Sequence, residues 1–249
     1  MSVKIFKFLY RWIEAFVEPR RLISSLEFFR FWSHFFKLRS QGVPLKILDT
    51  YPCLADRLWA TPFDPHYFYQ AIWLSRKIAE SGVRKHVDIG SQIYLIAAIS
   101  AFVECEFIDY RPLEVHVSHL KSKPGDLTSL ECASNSIPSL SCLHVIEHVG
   151  LGRYGDPLDP YGSIKAAKEL VRVLKSDGKL YISTPIGHER IEFNAHRIFS
   201  TAMVLDMFQG LDLCSFSFVD DERFFHADCE PSKAENLFYG CGMFEFVKP

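Results

Sequence analysis

Long apolar runs are missing from this chain. The longest stretches free of Asp, Glu, Lys and Arg, such as residues 132–146, fall short of the roughly 20 apolar residues that span a bilayer. The chain is therefore not expected to cross a membrane. Near its start Lys7, Arg11, Glu14 and Glu18 recur every three or four residues, which leaves no unbroken core for a secretory signal. No signal peptide is expected. Any C-x-x-C pair is also lacking: the seven cysteines (Cys53, Cys105, Cys132, Cys142, Cys214, Cys229 and Cys241) are odd in number and widely spaced. That argues against a disulfide scaffold and predicts free thiols in a reducing cytoplasm, with no metal site built from them. Net charge is small as well. At -2 over 249 residues there is no general attraction to nucleic acid. With 48% apolar and 23% charged residues, disorder is excluded too.

The small net charge is the sum of two unlike pieces. Residues 1–46 hold nine Lys and Arg against three Asp and Glu, a net of +6, which leaves -8 on the remaining 203. The same piece is aromatic, with eleven Phe, Tyr and Trp between Phe6 and Phe36. Ile5, Phe8, Leu9, Trp12, Ile13 and Phe16 repeat at helical spacing, opposite Lys4, Lys7, Arg11, Glu14 and Glu18. This predicts an amphipathic helix. A second helix is expected over 21–38, crowded by Phe28, Phe29, Phe31, Trp32, Phe35 and Phe36. Two partners fit these faces: protein, either the main domain or a second copy, and an anionic membrane surface met peripherally.

The organisation read from the sequence has three parts. Residues 1–46 form the basic helical extension. Residues 47–82 are a lid or substrate-facing segment, in which His66, Tyr67 and Tyr69 precede a helix ending near Gly82. Residues 83–249 alternate strand and helix. Strands are expected over 85–89, 105–108, 123–127, 139–145, 179–183, 213–219 and 243–247, and helices over 93–103, 163–174 and 201–208. Ser176-Asp177-Gly178 is read as a glycine stop for the second of these helices. The alternation predicts an α/β fold with a mostly parallel seven-stranded sheet and an antiparallel last strand.

His86-Val87-Asp88-Ile89-Gly90-Ser91 ends the first of these strands and opens a helix. In open parallel sheets a ligand binds beyond the carboxyl ends of the strands, where a glycine lets backbone approach it. Asp109, nineteen residues after Gly90, stands where a carboxylate accepts ribose hydroxyls. A nucleoside-bearing cofactor is expected.

Asp88-x-Gly90, Asp109, Gly125-Asp126-Leu127, the run from Ser141 to His148, and Glu169 to Gly178 resemble, in order and spacing, class I S-adenosylmethionine-dependent methyltransferases. Residues 63–70, 150–161 and 193–197 resemble more closely a methyltransferase-like family known as a domain of unknown function. The resemblance implies a Rossmann-like methyltransferase domain over 83–249 and S-adenosyl-L-methionine as cofactor. It places Asp88, Gly90 and Ser91 at the methionine end, Asp109 at the ribose, Asp126 and Leu127 at the adenine, and His144 in the same set. The chain departs from the superfamily pattern at Gln92 and Tyr94, where further glycines are usual. That departure weighs more heavily against a dinucleotide, whose pyrophosphate needs a close glycine-lined turn.

Methyl transfer to a hydroxyl or amine needs a base for the acceptor's proton, and histidine titrates near neutrality. His148, His188 and His196 are the candidate bases, with Glu147 beside them. Arg153 and Tyr154, in the Gly- and Pro-rich loop 150–162, join Arg190, Asn194, His66, Tyr67 and Tyr69 as candidate acceptor-binding residues. A polar, aromatic pocket of this kind suits a glycan or nucleotide sugar. Two alternatives stay open: a non-catalytic binding module with a degenerate methyltransferase fold, and a metal-dependent hydrolase using His144-x-x-Glu147-His148. If that segment is a strand, its histidines stand roughly 13 Å apart and share no ion.

Overall fold

The computed structural model describes residues 25–249. The helix predicted around residues 4–18 lies outside them. The chain divides into two compact units, Met1–Phe63 and Asp64–Pro249.

In the first unit, α1 (Ser25–Ser40) carries aromatic residues at three- and four-residue spacing. Trp32 therefore meets Phe28, Phe31, Phe35 and Phe36 at ring-centroid distances of 5.3 to 6.4 Å. Phe28, Phe29 and Phe36 keep large exposed faces. A 3-10 turn, Ile47–Asp49, follows. No helix among the described residues is long and apolar enough to cross a membrane.

The second unit begins with α2 (Pro65–Ser81), whose ends are written in the sequence. The Asp64 side chain accepts from the backbone N–H groups of His66 and Tyr67, Pro65 opens the first turn, and Gly82 closes the helix at φ +64°. Ten strands follow: β1 (Lys85–Ile89), β2 (Glu104–Asp109), β3 (Leu120–Pro124), β4 (Ile137–Leu143), β5 (Leu174–Ile186), β6 (Arg190–Glu192), β7 (His196–Ile198), β8 (Asp212–Val219), β9 (Phe225–His226) and β10 (Gly240–Val247). Between them lie α3 (Ile93–Ile99), α4 (Gly162–Val173) and α5 (Thr201–Met207).

Eight strands form one sheet in the order β3-β2-β1-β4-β5-β10-β8-β9, and β6 and β7 form a separate hairpin. β1 to β5 are parallel, whereas β10 runs antiparallel to both β5 and β8. Both faces are covered. Trp73, Leu74 and Ile78 of α2 pack with Leu95, Ile96 and Ile99 of α3 on one side; Ala166 and Leu170 of α4 pack with Val204 and Phe208 on the other. Burial on both faces encloses even the polar residues of the central strands, His86, Asp88, Ser139 and Ser141.

Three local expectations are corrected. β4 ends at Leu143, not 145, because His144 takes a left-handed φ of +54° and turns the chain off the sheet. The glycine stop at 178 is not a helix cap: α4 ends at Val173 and β5 starts at once. There the Lys248 ammonium holds the Val171 and Leu174 carbonyls while Lys248 backbone pairs with Asp177 and Gly178. Finally, β3 lies three residues earlier than predicted, and its shift frees residues 125–128 to turn beyond the sheet edge.

Candidate active-site cleft

A cleft opens at the carboxyl ends of β1 to β4, where strand order reverses between β1 and β4. Gly90 leaves β1 at φ +66° and donates its N–H to Ile108 O at 2.8 Å. A Cβ there would stand 3.2 Å from Val145 and 3.6 Å from Asp109 Oδ2, so only glycine leaves this floor open. Asp109 ends β2, its Oδ1 accepting the Arg111 N–H at 2.6 Å. Beyond β3, Asp126 Oδ1 accepts from the Thr128 backbone and hydroxyl, both at 2.7 Å, and fixes the turn that presents Leu127. Ile89, Ile108 and Leu127 supply apolar lining, and His144, His148 and Tyr154 add rings with polar atoms.

Of the residues singled out from the sequence, Gly90, Asp109, Asp126, Leu127, His144, His148 and Tyr154 line this cleft. Asp88 and Ser91 do not. Asp88 is fully buried, accepting from the Ser91 N–H at 3.0 Å, the Ser91 hydroxyl at 2.6 Å and the Ser141 hydroxyl. Burial raises its pKa to about 6 against the pull of those donors. Their role is to anchor the turn that presents Gly90. Gln92 and Tyr94, standing where the superfamily has glycines, are exposed and outside the lining, so their side chains leave the cleft open.

The segment His144 to His148 forms a compact turn, with the His148 N–H on Val145 O at 2.9 Å. Glu147, fully buried, sits between its neighbours: Oε1 is 2.9 Å from His144 Nδ1 and 3.9 Å from His148 Nε2. Burial pushes the Glu147 pKa up, but the hydrogen bond and charge of His144 outweigh it and hold the carboxylate ionised. His144 Nε2 faces Cys241 Sγ at 3.3 Å. Burial disfavours the charged His144 ring, yet Cys241 and Glu147 together raise its pKa well above the ordinary value.

His148 points elsewhere. Its Nδ1 lies 2.6 Å from Ala195 O, which only accepts, so Nδ1 carries the proton and Nε2 keeps its lone pair. Burial lowers its pKa, so the ring is neutral at pH 7. Arg153 donates to the same Ala195 carbonyl at 2.9 Å and lies over the Tyr154 ring together with Arg111.

Around these groups stand further rings. His66, pushed down to about pKa 4 first by burial and then by His144, stacks against His144 and Tyr239. Tyr67 lies against His144, and His196 stacks on Tyr239. Four residues fall outside the group. Tyr69 stacks on Phe225; His188 and Arg190 gather at Phe238; Asn194 is exposed at the tip of the β6–β7 hairpin.

Sequence reasoning missed Arg111, Arg197, Tyr239 and Cys241. Arg197 is buried and donates to Val149 O at 2.7 Å, Ser163 Oγ at 3.1 Å and Asp159 O at 3.3 Å, tying the loop after β4 to the hairpin. Asp156 holds the same loop by accepting from Gly150 and Gly152. Tyr239 and Cys241 reach the site from β10 and its approach, far along the chain, and carry no local signal.

A family model described as Caenorhabditis protein of unknown function, DUF268, matches residues 129–238. That span includes the His144 to His148 turn, the loop above it and the β6–β7 hairpin, and excludes Gly90 and Asp109. No curated protein matches the chain. Among solved structures, the N-methyltransferase NodS from Bradyrhizobium japonicum WM9, in complex with S-adenosyl-L-homocysteine, superposes with a TM-score of 0.54 at 13% identity. The alignment covers 78% of this chain and 93% of NodS. The 4+2 cyclase SpnF aligns at TM-score 0.52 and 15% identity over 71% of this chain and 80% of SpnF. A Haemonchus contortus phosphoethanolamine N-methyltransferase 2 aligns at 0.51 and 14%, over 73% of this chain and 53% of its own length. The chain shares its fold with these two methyltransferases and the cyclase.

Proposed function

We propose that this protein is an S-adenosyl-L-methionine-dependent methyltransferase acting on a hydroxyl or amine, with a glycan or nucleotide sugar as the acceptor class. The observation that carries the reading is the convergence of Gly90, Asp109, the Asp126-Leu127 turn and His148 on one cleft. The residues fit the cofactor. Gly90 leaves room for close approach, Asp109 ends β2 where ribose hydroxyls need an acceptor, and Ile108 and Leu127 offer apolar faces to a purine. When bound, the cofactor supplies an electrophilic methyl group on sulfonium.

The chain supplies position and a base. His148 Nε2 takes the acceptor's proton, while the Ala195 carbonyl keeps the opposite nitrogen protonated and the ring oriented. Ionised Glu147, 3.9 Å away, favours the imidazolium that results. Arg111 and Tyr154 at the mouth, with the rings of His66 and Tyr67 beyond His144, support a sugar-bearing acceptor. Incubation with methyl-labelled S-adenosylmethionine and a panel of sugar and nucleotide-sugar acceptors tests this. Label transfer is expected, and His148→Gln should lower it by about 10²- to 10⁴-fold. The acid limb of the parent's pH profile should fall below 6.5, the ordinary value for histidine, because burial lowers the His148 pKa. Unchanged turnover in His148→Gln would remove the base from the account.

A second reading, a non-catalytic binding module, draws on Gln92 and Tyr94 at the motif's usual glycines. It predicts cofactor binding with no label transfer to any acceptor.

A further inference from the structure

We infer that His66, His144 and Cys241 form a binding site for one zinc ion. One ligand atom from each lies within 4.8 Å of the other two, and the three come from α2, the turn after β4 and β10. The His144 Nε2 to Cys241 Sγ spacing is 3.3 Å. Two ligands sharing a tetrahedral zinc, with bonds of about 2.0 Å to nitrogen and about 2.3 Å to sulfur, stand about 3.5 Å apart. His66, half-buried and stacked beside His144, closes the third side.

Outer contacts prepare the site. Glu147 Oε1 accepts from His144 Nδ1 at 2.9 Å, so Nε2 is the nitrogen available to a metal, and it is aimed at Cys241. A carboxylate behind a metal-ligating histidine is the common outer-shell arrangement for zinc. Charge also balances: a metal-bound Cys241 thiolate together with buried Glu147 would offset both positive charges of the ion. Thiolate and imidazole ligands together favour zinc over magnesium or calcium. Three protein ligands leave a fourth position for water or a substrate heteroatom, as in catalytic rather than structural zinc sites.

The same atoms also describe a Cys-His-Glu nucleophile. Burial of Cys241 and the approach of His66 favour a ligand over a nucleophile, which needs access.

Metal analysis of the purified full chain, followed by chelation and zinc titration against a chromophoric indicator, tests the site. One zinc per chain is expected, and cobalt substitution should give thiolate charge-transfer and tetrahedral d–d bands. Cys241→Ser should abolish the charge-transfer band. Glu147→Gln should weaken zinc binding by about 10- to 100-fold, and His66→Ala by more. His188→Ala should bind as the parent does. Circular dichroism of each variant separates lost ligation from lost folding; His66, being half-buried, is the safer substitution. Failure of the parent to bind zinc, equal binding by His66→Ala and the parent, or rapid alkylation of Cys241 in the zinc-loaded protein overturns the inference. Cofactor binding measured on chelated protein is independent of these outcomes, so a failure here leaves the transferase reading to its own test.

Discussion

At the scale of single residues, β1 and β4 carry a buried chain of hydrogen-bonded polar side chains beneath the cleft. His86 on β1 is buried, with Nδ1 2.8 Å from Ser139 Oγ and Nε2 2.8 Å from Ser141 Oγ. Because the Ser141 hydroxyl donates to Asp88, its oxygen accepts from His86, so Nε2 carries the proton and Nδ1 accepts from Ser139. Burial lowers the His86 pKa from 6.5 to about 3. In the unfolded chain the ring protonates near 6.5, whereas in the folded chain it stays neutral. The associated stability is therefore present above 6.5 and lost as pH falls toward 3. Asp88, raised to about 6 by burial, acts with opposite sign: its neutral form favours the fold at low pH, and that contribution is lost as pH rises through 6. Urea unfolding of the parent and of His86→Gln at pH 6.5 and pH 5 separates the two. The variant should lose about 2 kcal/mol less over that interval. Parallel pH dependence in both proteins would contradict the burial account.

At the scale of elements, backbone geometry at strand ends determines what reaches the cleft. Gly90 and Gly82 share a left-handed φ, +66° and +64°, but only Gly90 has atoms close to where a Cβ would stand. Gly82→Ala should cost about 1–2 kcal/mol of strain and leave the cleft unaffected. Gly90→Ala should cost more and also weaken cofactor binding, because the added carbon crowds Val145 and the floor beside Asp109. Unfolding curves and cofactor affinity for both variants check this contrast. The elements that were legible in the sequence had local causes. β1 was placed to the residue, and the end of α2 was marked by Gly82, although the helix opens at Pro65 and takes in His66, Tyr67 and Tyr69, which were expected to precede it. The ones missed had distant causes. β6 and β7 are three residues each and are held by mutual pairing and by Arg197, without apolar alternation to announce them. The end of β4 depended on a left-handed histidine, and the end of α4 on Lys248, some 75 positions away.

At the scale of the whole molecule, the parallel sheet and the cleft at its strand ends were legible because strand-helix alternation and the Gly90 to Asp109 spacing are short-range patterns. The cluster of rings beside the cleft was not. It assembles His66 from α2, Glu147 and His148 from the turn after β4, His196 from β7 and Tyr239 and Cys241 from the last part of the chain. Only the fold brings these together, so sequence spacing named several histidines without ranking them. It set His188 beside His148, whereas the structure sends His188 to Phe238. The account stands on the cleft between β1 and β4 being a cofactor site. Thermal unfolding with S-adenosyl-L-homocysteine tests it most directly. At a hundredfold excess over Kd the ligand should add about 2.7 kcal/mol, which raises Tm by roughly 5 to 10 °C for a chain of this size, and Asp109→Ala should abolish the shift. An unchanged Tm in the parent, or an equal shift in Asp109→Ala, would contradict the claim.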